Sequence, residues 1–333
     1  MRQALRSLLV FLALVACAGM PPAEPVPARS LPLQIRSTAM PFKIDEPAAR
    51  QIGRLIWRGG IAMTADSANF GGWSDLAVSP DNRTLVSISD LGAWFTAAIE
   101  RDDNGDLKGL RDGRIGPLHG LDGQPLANKE WADAEGMARL PDGSWLVSFE
   151  RHHRIWRYPT LDGAPAAIDT PAEFARQPYN GGIETLAALD DGRIVAISEE
   201  LRRQPGSVAG WIGEPLGEGR YRWRDFNYVT IPDFHPTAIR CLPDGSFATL
   251  ERAFSYARGL RVRIMRFPAD ALQAGAMVKP DELALLAPPY AVDNLEGLAA
   301  TTGERGETLL WLIADDNFNP LQRNLLLLFE LAK

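Results

Sequence analysis

Five times along the chain a short alternating strand runs into a polar turn and returns as a more hydrophobic strand. The hairpins are WSDLAVSPDNRTLVSISD (Trp73–Asp90), AEGMARLPDGSWLVSFER (Ala134–Arg151), GGIETLAALDDGRIVAISEE (Gly181–Glu200), HPTAIRCLPDGSFATLER (His235–Arg252) and DNLEGLAATTGERGETLLWLIADD (Asp293–Asp316). Apolar residues at every second position mark strands with one buried face, while Pro, Asp, Asn and Gly supply the turn geometry between them. Successive turns lie about fifty to sixty residues apart, a period of radial or stacked repeats. Further strand-like runs fill the gaps: Ala93–Ile99, Arg154–Tyr158, Arg220–Val229 and Arg261–Phe267. Four short strands per repeat, without a long amphipathic helix, predict an all-β protein, a β-propeller of five blades. Asn324–Leu331 is expected as the third strand of the last blade, with Gly53–Met63 as its outer strand closing the ring. A sixth blade around residues 100–130 and an open β-sandwich are the alternatives.

A hairpin brings its first and last residues side by side, at the end away from the turn. Aligning the repeats puts Asp75, Glu135, Glu184, Thr237 and Glu296 at the start of the first strands. Asp90, Glu150, Glu199, Glu251 and Asp315 fall at the end of the second strands. Nine of these ten positions are acidic, so a propeller would carry a ring of carboxylates around one mouth of its central channel. Close like charges repel by ~1–4 kcal/mol per pair, depending on screening, and need compensation. Hard divalent cations fit, Ca²⁺ foremost, because Ca²⁺ takes carboxylate, carbonyl and water oxygens. The expected metal ligands are Asp75, Asp90, Glu135, Glu184, Glu199, Glu251, Glu296 and Asp315. Glu135, Glu150, Arg151 and His152 are the candidate catalytic groups, and Arg252 and Arg202 the candidate holders of an anionic substrate. The competing reading is structural: Glu–Arg pairs bracing neighbouring blades.

The N-terminus has a different character. Arg2 and Arg6 precede an apolar run from Leu8 to Val15, too short to span a bilayer as a mature helix and suited to a secretory signal. Leu14-Val15-Ala16-Cys17 resembles a lipobox, which would make Cys17 the acylated N-terminus of a lipoprotein in the bacterial envelope, outer membrane included. Residues 1–16 are then signal peptide, 17–50 a Pro/Ala-rich tether and 51–333 one propeller domain. Loss of residues 1–16 removes two arginines and no acid, taking the formal charge from −7 to −9. So acidic a chain is a poor partner for nucleic acid. Beyond Cys17 only Cys241 remains, which excludes a disulfide framework. A monomer, tied to a membrane through its lipid alone, is expected.

The segments NFGGWSDLAVSPDNRTLVSISD, DAEGMARLPDGSWLVSFERHHRIWRY, GGIETLAALDDGRIVAISEE and DNLEGLAA resemble the phytase-like family, described as "esterase-like activity of phytase". The resemblance runs from about Phe70 to the C-terminus. It implies a secreted or lipid-anchored β-propeller that hydrolyses esters, related to propeller phytases in which calcium in an acidic channel binds phosphomonoesters. Only the acidic ring and its arginines are counterparts here. Two functions follow as expectations: a metal-dependent hydrolase of phosphate or carboxylate esters at the acidic mouth, or a non-catalytic propeller that binds a ligand or envelope partner there.

Other chemistries find less support. GGWSD and GSVAG do not make a G-x-S-x-G elbow followed by a helix. With four histidines in the chain (His119, His152, His153 and His235), a histidine-rich zinc site is excluded, though one histidine joined by several carboxylates is not. Asp102-Asp103-Asn104-Gly105-Asp106 invites a calcium reading, but a tight turn between outer strands accounts for it equally. Trp94 and Trp211 follow the hairpins in expected loops, where they would flank a binding surface.

Overall fold

The structure is a computed structural model that describes residues 26–332. Every hairpin predicted from the repeats forms the inner pair of an antiparallel blade, and there are five blades. Their first strands are Trp73–Val78, Ala134–Arg139, Thr185–Ala188, His235–Cys241 and Asn294–Thr302. These five pack side by side in cyclic order around the channel axis. Asn324–Leu331 is the third strand of blade 5, and Leu55–Ala65 pairs antiparallel with it. The apolar alternation is what builds the ring: inward-facing residues of adjacent blades, such as Trp73, Trp211 and Trp311, are completely covered between sheets.

Residues 100–130 supply no sixth blade among the described residues. Ala93–Arg101 and Leu107–Pro117 are the outer strands of blade 1, joined by the Asp102–Asp106 turn. There Asp102 Oδ1 accepts from the backbone N–H groups of Asn104 and Asp106, both at 3.0 Å. Asp106 in turn pairs with Arg58 at 2.5 Å, so Asp102 and Asp106 both already serve the turn and its packing. Trp94 and Trp211 are likewise not in loops; each lies in the third strand of its blade and is buried.

The tether expected over residues 17–50 needs correction beyond residue 30. Leu31–Leu33 adds a strand to the edge of blade 1, and Ile35–Ala39 one to the edge of blade 5. Phe42 is fully buried and stacks on Trp57 at 5.0 Å. Edge strands present unpaired N–H and C=O groups, and this segment covers two of them. The signal segment and Cys17 lie outside the described residues. Among the described residues no helix is long and apolar enough to cross a membrane.

Candidate functional site: an acidic channel mouth

The first strands of blades 1, 2, 4 and 5 each carry a β-bulge near their start. In blade 3, Thr185 opposes Ile197 while Glu199 N donates to Gly182 O, which again leaves one extra residue on the first strand. A bulge turns one side chain out of the pleat. The residues so placed are Ser74, Glu135, Glu184, Thr237 and Glu296. Gly136 and Gly297 follow two of them because a Cβ there would come within 2.5 Å of Glu184 O and 2.7 Å of Asp75 Cα on the adjacent first strands. Opposite the bulges, at the ends of the second strands, stand Asp90, Glu150, Glu199, Arg252 and Asp315.

This geometry brings most of the expected ring together and moves two members out. Asp90, Glu135, Glu150, Glu184, Glu199, Glu296 and Asp315 line one cavity of about 320 Å³. Asp75 does not; Ser74 holds its place, and Asp75 lies one residue deeper, fully buried against Arg240 at 2.7 Å. Glu251 is displaced in the same way by Arg252. It is fully buried, paired with Arg263 and accepting from Tyr228 Oη at 2.9 Å. Both are structural carboxylates, out of reach of the mouth. Thr237 is buried at its bulge and does not line the cavity.

Of the other expected residues, Arg151 lines the cavity rim, where its Nε pairs with Asp133 and its Nη1 donates to Tyr179 Oη at 3.3 Å. Arg252 reaches the cavity between Glu296 at 3.4 Å and Glu199 at 3.8 Å. His152 lies outside it, stacked on Trp131 with ring centroids 3.7 Å apart and 3.2 Å from Glu130. Arg202 is exposed and is not part of the cavity. Two charged residues join that the repeat pattern missed. Asp133 precedes the first strand of blade 2. Lys129, on the short helix Lys129–Ala132, bridges Asp90 and Asp133, the latter at 2.8 Å. Asp133 was visible in the DAEG quartet; Lys129 carries no periodic signal at all.

The cavity thus gathers eight carboxylates and three cations. Burial pushes Glu150 up to about 7, opposed by the N–H of Gly182 and reinforced by Asp133. Burial also pushes Glu199 up to about 8, against Arg252 and with Glu296 and Glu150 adding to it. Glu135 and Glu184 rise well above the usual carboxylate range, first through burial and then through neighbouring acids. Asp315 rises for the same reasons, with Asp90 and Glu296 as its neighbours. Burial pulls Lys129 down, but Asp90 and Asp133 outweigh it and hold the ammonium above its ordinary value.

Such a set cannot all be ionised without further positive charge. Two groups have carboxylate oxygens within 4.8 Å of one another: Asp133, Glu135 and Glu150, and Glu150, Glu184 and Glu199. Glu150 belongs to both. Glu184 Oε2 and Asp90 Oδ1 are buried and have no hydrogen-bond partner. Orphaned oxygens in an all-oxygen donor set are what a hard divalent cation takes, so these residues fit a metal ion.

Residues 68–318 match the family model Phytase-like, described as "Esterase-like activity of phytase". No curated protein matches the chain. Among solved structures, an α-L-arabinofuranosidase from Podospora anserina in complex with cellotriose is 12% identical, covering 79% of this chain and 92% of its own, with a TM-score of 0.49. The PQQ-bound aldose sugar dehydrogenase from Streptomyces coelicolor is 14% identical, covering 92% of this chain and 99% of its own, with a TM-score of 0.42. A gluconolactonase from Xanthomonas campestris is 14% identical, covering 93% of this chain and 99% of its own, with a TM-score of 0.39. Likenesses so distant carry no information about the chemistry of this mouth.

Proposed function

The chain belongs to the phytase-like family, and from that premise we propose that it hydrolyses a phosphate or carboxylate ester at the acidic mouth with the help of a divalent cation. The observation that carries the reading is the imbalance at the cavity, eight carboxylates against three cations, with Glu184 Oε2 left unpartnered. Asp133, Glu135, Glu150, Glu184 and Glu199 would hold the cation, and the all-oxygen donor set favours calcium. When bound, a divalent cation offsets negative charge that develops on the ester oxygens and makes water easier to deprotonate.

The chain's own groups do the rest. Lys129 has three N–H donors and spends two of them on Asp90 and Asp133, leaving one for an anionic group at the rim. Arg151, fixed by Asp133 and Tyr179, presents a planar guanidinium beside it. Glu135 and Glu150 are the proton carriers. One takes the proton from the attacking water as its oxygen bonds to carbon or phosphorus. That proton then passes to the leaving oxygen as the ester bond breaks.

Elemental analysis of the purified protein, with thermal melts in calcium and in chelator, tests the reading. The expected result is stoichiometric calcium and a melting point roughly 5–10 °C higher with the metal, as saturating binding stabilises by ~3 kcal/mol. A metal-free protein whose melt ignores calcium would overturn it and leave the mouth as a binding cup. We also place the protein in the cell envelope, anchored through Cys17, on the strength of Leu14-Val15-Ala16-Cys17. Cys17→Ser should move it from the membrane fraction to the soluble fraction; an unchanged distribution rules out the lipid anchor.

A further inference from the structure

On the shoulder of the mouth, the turn after the second strand of blade 3 meets the start of blade 4. Glu199 and Glu200 come from the turn, and His235 opens the first strand of blade 4. His235 Nδ1 stands 3.8 Å from Glu200 Oε1 and 4.0 Å from Glu199 Oε1. The three side chains offer ligand atoms all within 4.8 Å of one another. We propose that Glu199, Glu200 and His235 form a second metal site, adjoining the oxygen-only mouth through the shared Glu199 and suited to a first-row transition ion such as Zn²⁺.

Three observations support it. First, the separations are too long for hydrogen bonds and only slightly too long for shared coordination. Ligand atoms on a tetrahedral zinc with bonds of ~2.0–2.1 Å lie roughly 3.3 Å apart. Contractions of about 0.5–0.7 Å toward His235, with the exposed Glu200 side chain free to move onto the ion, would complete the set. Second, His235 lacks the partner that burial demands, and Glu199 keeps its cations at a distance. His235 Nδ1 is buried with no hydrogen-bond partner. Glu199 is only 8% exposed, and its nearest basic neighbours, Arg252 at 3.8 Å and His235 at 4.0 Å, are beyond hydrogen-bond length. An ion-paired imidazolium would instead close to hydrogen-bond distance on one carboxylate. Third, the site opens into a cavity of about 310 Å³ in which Asp233 is already committed to Arg258 at 2.9 Å. Three protein ligands with an open fourth position is the arrangement of a zinc that keeps a place for a small molecule. Imidazole with carboxylate selects against calcium, which prefers oxygens alone, so the two sites divide by metal class.

Equilibrium dialysis of the full-length protein against Zn²⁺, in the presence of excess Ca²⁺, decides it. One equivalent of zinc should remain bound. His235→Gln and Glu200→Gln, neither of them a lining residue of the acidic cavity, should each weaken that binding at least 10-fold and leave calcium content and the zinc-free melting point unchanged. The zinc-bound protein should also show a shifted His235 imidazole signal by NMR. Wild-type zinc affinity in both variants, or complete displacement of zinc by calcium, would overturn the assignment. If the mouth takes no calcium at all, loss of zinc in the His235 variant still establishes this site by itself.

Discussion

Asp75→Asn should destabilise the protein by about 3–5 kcal/mol, the range for stripping a largely buried cation of its counter-ion, and lower its melting point by roughly 5–8 °C. Asp75 is completely buried on the first strand of blade 1. Its Oδ1 accepts from Leu76 N at 2.8 Å, and its Oδ2 from Met137 N of blade 2 at 2.8 Å and from Arg240 of blade 4 at 2.7 Å. Arg240 also donates to Leu76 O of blade 1 and Leu186 O of blade 3, each at 2.9 Å. One ion pair therefore ties four blades together across the axis. It lies between the acidic mouth and a small cavity at the other end of the channel, which Arg240 lines with Met137 and Cys241. Asparagine keeps the Leu76 bond but turns an amide donor toward two other donors, leaving Arg240 buried without a counter-charge. Adding Arg240→Met should return part of the loss, because the unpaired charge then disappears. A thermal or urea double-mutant cycle measures this; strictly additive losses would show that the two residues do not act as a pair.

The same residue shows where the sequence could be read and where it could not. Strand alternation and turn chemistry were strong enough to place every inner hairpin, and Asn324–Leu331 as well. Register is harder, because a bulge adds one residue to one strand and an alignment of the repeats on their acids hides it. Counting from the turns gives a better register. Turn-closing hydrogen bonds join Ser79 to Thr84, Leu140 to Ser144, Leu189 to Arg193 and Leu242 to Ser246. Five residues before each turn opens stand Ser74, Glu135, Glu184 and Thr237, and six after each closes stand Asp90, Glu150, Glu199 and Arg252. Asp75 and Glu251 were thus each one position out, which sends a side chain to the other face of its strand. Lys129 and the packing of Ile35–Ala39 on blade 5 depend on contacts far along the chain, with no local pattern to announce them.

Glu150→Gln should cut ester turnover by on the order of 10²–10⁴-fold, the range for loss of a proton-carrying group, while making the metal-free protein more stable. Glu150 Oε1 accepts from Gly182 N at 2.6 Å, a bond that the glutamine oxygen can keep, so the fold is not at risk. What disappears is the charge common to both carboxylate groups of the mouth. Its pH signature has a definite sign. Burial pushes Glu150 from 4.5 up to about 7 and Glu199 from 4.5 up to about 8. Between those limits the folded protein binds more protons than the unfolded chain, so stability is full below about pH 4.5 and is lost as pH rises toward 8. In chelator, the wild-type protein should melt several degrees lower at pH 8 than at pH 5.5. The Glu150→Gln protein should melt higher than wild type at pH 8 and show a flatter profile, yet gain little from added calcium. Glu135→Gln is the informative partner. It disrupts only the group with Asp133, so it should also abolish turnover but retain part of the calcium response. Full turnover in either variant would remove the mouth from consideration as the catalytic site, whereas a metal-free melt that climbs toward pH 8 would show that the carboxylates are not under electrostatic strain. Loss of activity together with a gain in metal-free stability would mark the acids as kept for function, since bracing residues would lose stability on neutralisation.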